Sequence, residues 1–231
     1  DVATLLELAT RSRNVRLLGN TAALAGLVLT GGTLIAVPLA WLVTRTDMRG
    51  RRIVTWLAVT PLAVPGYVMA YALLGLGGYQ GVMMRLFDVL VPRPSGLWGA
   101  AAALTLYTFP YIFLNVRSAL LGLDTSLEES ARCLGLRPAR VVWRVVLPQL
   151  RPALLAGWLV VALYVLGDFG AVALMRFETF SFAIYTQYSS AFDRSNAALL
   201  SLMLLVITTA LVALELRLLG RRRYARVGKG V

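Results

Sequence analysis

Between two long apolar stretches the chain runs Thr125-Ser-Leu-Glu-Glu-Ser-Ala-Arg-Cys-Leu-Gly-Leu-Arg-Pro-Ala-Arg-Val-Val-Trp-Arg-Val-Val-Leu-Pro148 and punctuates itself as two short helices. Ser126-Leu-Glu-Glu129 has capping-box spacing, in which the serine hydroxyl accepts from the amide of residue 129 and the Glu129 carboxylate reaches back to the serine amide. This predicts a helix that starts there, runs to Leu134 and stops at Gly135, a residue free to adopt the left-handed conformation. Pro138 suits the first turn of a second helix, where its missing N–H is not needed. That helix is expected to run to about Leu147-Pro148, with Val141, Val142, Val145 and Val146 on one side and Arg137, Arg140, Arg144 and Arg151 on another.

The flanks of this hairpin set the architecture. Of 231 residues, 58% are apolar and only 15% charged, against about 25% charged in soluble domains. Charge-free gaps of 28, 32, 23 and 20 residues separate Arg16 from Arg45, Arg52 from Arg85, Arg93 from Arg117 and Arg194 from Glu215. A fifth stretch, Pro152 to Met175, holds one charge, Asp168. Each is long enough for a helix to cross a bilayer core of about 30 Å, and an open sheet cannot satisfy its backbone in lipid. The fold expected is therefore all-α, a polytopic transmembrane helical bundle with spans near 18–43, 54–76, 97–116, 153–174 and 197–216.

Basic residues choose the orientation. The 44–52 loop, the 117–152 loop and the 220–231 tail hold fifteen of the 23 Lys and Arg residues, and basic loops stay in the cytoplasm. Topology thus accounts for the net charge of +12 and for a pI of 10.8, and no nucleic-acid partner is needed. Five spans put the opening segment outside. Together with a first residue that is not Met and a basic tail that reads as a linker, this predicts a sixth span missing at the N-terminus.

With no histidine and one cysteine, neither an imidazole-assisted nucleophile nor a zinc site can be assembled. No G-x-x-x-x-G-K-[ST] loop is present, so any ATP must be bound elsewhere. No enzyme activity, metal site or cofactor is expected in this chain. A secondary transporter would favour several ionisable groups deep in the spans, and only Asp168 is offered.

The pattern Glu129-Ser130-Ala131, three residues, Gly135, nine residues, Val145, one residue, Leu147-Pro148 resembles the EAA loop of permease subunits of binding-protein-dependent ABC importers, E-A-A-x3-G-x9-I-x-L-P. Ser130 and Val145 depart from it conservatively. The resemblance implies a single permease domain over 1–231, whose 124–148 loop is a cytoplasmic coupling helix seated on a separate ATPase subunit. Glu129 then pairs with an arginine of that ATPase or serves only as a cap. It also implies an extracytoplasmic substrate-binding protein, a second permease half, membrane lipid around the spans, and a multi-pass location in the bacterial inner membrane.

Asn20-Thr21, Pro38 to Asp47, Pro61 to Tyr67, Gly167-Asp-Phe-Gly-Ala-Val172, Thr179-Phe180 and Ile184-Tyr185 resemble the N-terminal half of double-length ferric-iron permeases. That implies ferric iron as the cargo, with thiamine, polyamine, phosphonate and sulfate subgroups as alternatives. Asp168, the only charge inside a span, reads as a path or gate residue or as a structural cap near the outer end of the fourth span. Pro61, Pro65 and Pro110 read as kinks lining a core or as tolerated prolines. Phe182, Tyr185, Tyr188 and Phe192 read as an interfacial aromatic belt or as a docking surface for the binding protein.

Overall fold

A computed structural model describes residues 12–189 and 194–220. Every regular element among them is helical: α1 Ser12–Arg45, α2 Arg51–Val59, α3 Gly66–Leu76, α4 Val82–Phe87, α5 Gly96–Gly122, α6 Thr125–Cys133, α7 Pro138–Gly167, α8 Gly170–Leu174, α9 Phe180–Ser189 and α10 Arg194–Gly220. The expected spans 18–43, 97–116 and 197–216 lie within α1, α5 and α10.

Helix α5 is the centre of the bundle. In its most apolar window 61% of residues are buried within the protein, against 22% for α1 and 11% for α10. The remaining apolar faces point outward, where lipid is the solvent. Helix α1 turns a stripe of Leu17, Thr21, Leu24, Val28, Gly32, Ala36, Ala40 and Val43 inward, the three- and four-residue spacing of one helix face. Glycines set how closely the helices approach. A Cβ on Gly32 would stand 3.2 Å from Ile112 Cδ1, and one on Gly157 of α7 would stand 3.1 Å from the Ile112 Cα. Small residues at such crossings let membrane helices gain dispersion contact that lipid cannot supply. Trp158 Nε1 donates to Thr33 Oγ1 at 2.8 Å and ties α7 to α1.

The structure corrects two of the expected spans. The stretch 54–76 is not one helix: the helical segment Arg51–Ala63, which begins with α2, meets α3 at 102°. Between α2 and α3, Thr60–Ala63 form a 3-10 turn, Val64 is extended and Pro65 caps α3. Proline drives the preceding residue out of the helical region and cannot donate to the turn before it. Pro65 therefore ends one segment and starts the next. Pro38, Pro110 and Pro152 lie inside continuous helices instead.

The fourth span is shifted. It does not run over 153–174: α7 begins at Pro138, stops at Gly167 and is followed by the separate α8. The second hairpin helix consequently does not end at Leu147-Pro148 but continues into the membrane through a π turn at Val142–Val146. Pro148 cannot donate to the Arg144 carbonyl. One turn upstream the helix widens, and the Leu147 amide donates to Val142 O.

Candidate functional site

The hairpin projects from the end of the bundle that carries the 44–52 and 117–152 loops. Helix α6 is capped by Asp124, whose Oδ1 accepts from the Ser126 amide at 2.9 Å. This corrects the capping box expected at Ser126 and Glu129, since Asp124 stands first at the N-cap and Glu129 points to solvent. At the other end Gly135 has φ +82°. Its amide donates to Arg132 O at 2.9 Å and the Leu136 amide to Ala131 O at 3.2 Å, the paired bonds of a glycine-terminated helix. A Cβ on Gly135 would meet nothing within 4 Å, so the constraint there is conformational rather than spatial.

The sequence-selected residues separate into two groups. Glu129, Ser130 and Gly135 lie on the free surface of the tip, whereas Ala131 is buried and Val145, Leu147 and Pro148 are half-buried where the hairpin joins the span. Three large apolar side chains of the hairpin are exposed, Leu134 at 84%, Trp143 at 70% and, less so, Leu127. Arg132, Arg137, Arg140 and Arg144 are exposed along the same segment. Trp143 was not singled out by sequence, where it reads as one more apolar residue among valines.

Glu128 and Arg45 were missed as well. Glu128 lies on the inward face of α6, one turn before buried Ala131, and its Oε1 is 2.9 Å from Arg45 Nη2 at the end of α1. The same nitrogen donates to Leu120 O of α5 at 3.2 Å. One guanidinium thereby joins the hairpin to α1 and to the central helix α5.

At the opposite end Asp168 follows α7. Its Oδ2 accepts from the Ala171 amide at 3.0 Å and the Val172 amide at 3.3 Å, capping α8, while Ser181 Oγ donates to its carbonyl. Phe169 meets Tyr185 in a tilted contact at 4.3 Å and stacks on Phe182 at 6.3 Å between ring centroids. Tyr188 is exposed, and Phe192 lies outside the described residues. The Asn20-Thr21 and Thr179-Phe180 segments meet across the fold. Asn20 Nδ2 donates to Glu178 O at 2.9 Å, and the Phe180 amide donates to Thr21 Oγ1 at 3.3 Å. Among the described residues no three carboxylate or thiol groups gather in a metal-binding cluster.

Comparison with known proteins adds four findings. The model of a family described as binding-protein-dependent transport system inner membrane component matches residues 32–224. The chain is 34% identical over 226 residues to a ferric-iron transport system permease protein of Haemophilus influenzae, covering 98% of this chain but 42% of that protein. It is 30% identical over 197 residues to the molybdenum transport system permease protein ModB of Escherichia coli, covering 81% and 86%. Among solved structures, an inward-facing form of the MetNI methionine ABC transporter superposes with a TM-score of 0.66 at 21% identity, covering 88% of this chain and 93% of that one. That likeness is one of fold.

Proposed function

Because the chain belongs to the family of binding-protein-dependent transport system inner membrane components, a family of transport permeases and not enzymes, we propose that it forms one half of the translocation path of an ATP-driven importer. The 124–148 hairpin is where a separate ATPase docks and drives it. The observation that carries this reading is the tip itself. Leu134 stands exposed beside the Gly135 turn and Trp143 on the second arm of the hairpin, with Arg132, Arg137, Arg140 and Arg144 exposed along the same segment. A soluble partner gives such a surface its burial.

The mechanism follows from the attachment. The second arm of the hairpin is the start of α7 itself, with no loop between it and the span, and the first arm is held to α1 and α5 by the Arg45 guanidinium. A displacement of the tip by ATPase closure is passed to three spans as a rigid-body movement, the motion alternating access requires. ATP is bound by the partner. The chain spans 42% of the length of its Haemophilus relative, which supports pairing with a second permease half, and an extracytoplasmic binding protein delivers the solute.

For the cargo we favour ferric iron. The motifs quoted above and the similarity to a ferric-iron permease protein support it, and similarity to a molybdenum permease protein keeps an oxyanion as the second reading. Selectivity then rests mainly with the binding protein. The test is a deletion strain assayed for uptake of radiolabelled iron, molybdate, sulfate, thiamine and polyamines, beside co-purification of the tagged protein with an ATPase. Lost iron uptake with ATPase recovered supports the reading. Normal iron uptake with a defect in another solute replaces the cargo, and absence of any ATPase rejects the importer.

A further inference from the structure

We infer that the open cavity between the ends of α1 and α5 and helix α2 is a binding site for the phosphate headgroup of an anionic phospholipid in the leaflet facing the basic loops. The cavity holds about 460 Å³ and is lined by Arg51, Arg52, Arg117, Thr44, Thr55 and Trp56, with no carboxylate among its lining residues. Three arginines line one cavity without an acid among them, and an anion seated there would offset their like charge. Arg117 adds a second, independent indication. Its Nε is buried and has no hydrogen-bond partner, and buried donors in folded proteins are almost always paired.

The position chooses lipid over a free ion. The cavity lies where α1 and α5 leave the apolar layer, and α2 turns Ile53, Trp56 and Leu57 outward at 67%, 76% and 65% exposure. Indole rings settle at headgroup depth, and basic pockets between membrane helices on the cytoplasmic side hold anionic headgroups. Arg51 and Arg52 reach the cavity from the first turn of α2, and Arg117 reaches it from α5. A bound lipid consequently bridges the arm of the bent second span to the centre of the bundle. Its leaflet rests on the orientation given above, but its binding requires neither an ATPase nor transport.

The full-length protein in detergent is titrated with phosphatidylglycerol or phosphatidylethanolamine and read by native mass spectrometry. Retained phosphatidylglycerol adducts, with phosphatidylethanolamine bound at least tenfold more weakly, are expected. Arg117→Gln and Arg52→Gln should each weaken the adduct about fivefold, the contribution of one basic residue beside an anionic surface. Arg49→Gln removes the same charge from the same loop outside the cavity and should leave the adduct unchanged. Arg117→Lys, which keeps charge and supports folding, should retain most of it. Equal binding of both lipids, equal loss in Arg49→Gln, or unaltered binding in both Gln variants overturns the site. Displacement of the lipid by millimolar inorganic phosphate overturns lipid as its source.

Discussion

Arg45 and Glu128, 83 positions apart, meet at 2.9 Å between Nη2 and Oε1 with their side chains only 15% and 11% exposed. The contact is one of charge rather than an aligned hydrogen bond, for Glu128 Oε1 and Arg45 Nε lack hydrogen-bond partners. Removing one partner strands the other, which at buried sites costs about 3–5 kcal/mol. Glu128→Ala is expected to lower thermal stability and uncouple ATP hydrolysis from uptake. The reversed pair Arg45→Glu with Glu128→Arg should recover part of both. Normal coupling in Glu128→Ala, measured in proteoliposomes with the ATPase, would show that the pair transmits nothing.

At Gly135 the backbone and the partner surface make different demands. With φ at +82° and open space around the missing Cβ, a substitution costs about 1–2 kcal/mol of left-handed strain whatever its size, and least for asparagine. Melting temperatures should therefore fall in the order Gly, Asn, Ala, Val. ATPase association should fall with side-chain size instead, and Gly135→Leu should insert yet fail to bind. Association that simply tracks stability would remove the docking role from this turn.

Trp143 and Leu134 give a complementary test because they are exposed. Truncating either to alanine should change stability by no more than about 0.5 kcal/mol while weakening recovery of the ATPase about tenfold or more, as interface anchors do. Unchanged recovery in Trp143→Ala with Leu134→Ala would exclude the tip as the docking surface.

For Asp168 the geometry separates charge from capping. Asparagine also caps helices well, so Asp168→Asn should melt close to wild type, whereas Asp168→Ala should lose about 0.5–2 kcal/mol. Radio-iron uptake is expected to follow the same order. If Asp168→Asn melts normally but no longer takes up iron, the negative charge acts on the solute path.

Cys133 is a free, exposed thiol in the hairpin. A membrane-impermeant maleimide should label it only after cells are permeabilised. Equal labelling of intact cells would reverse the orientation and with it the leaflet of the proposed lipid site.

The amino-acid order by itself determined the all-helical architecture and the approximate placement of its apolar segments, because a bilayer core forces charges to the ends of each span and the gaps between arginines can be counted. It also determined the Gly135 turn, whose bonds all lie within six residues. The bend over residues 60–65 was half legible: Pro61 and Pro65 mark a break, but the 102° angle depends on what the two arms rest against. A Cβ at Gly66 would lie 3.2 Å from the Tyr164 hydroxyl, and one at Gly170 would lie 2.8 Å from Tyr67 Cβ. Only the tertiary structure decided that Glu128 rather than Glu129 faces the bundle, that Asp168 caps a new helix, and that Arg117 shares a cavity with Arg51 and Arg52. Each of these depends on a neighbour or a chain reversal that local pattern does not encode. Two adjacent glutamates are equivalent until a distant arginine selects one of them.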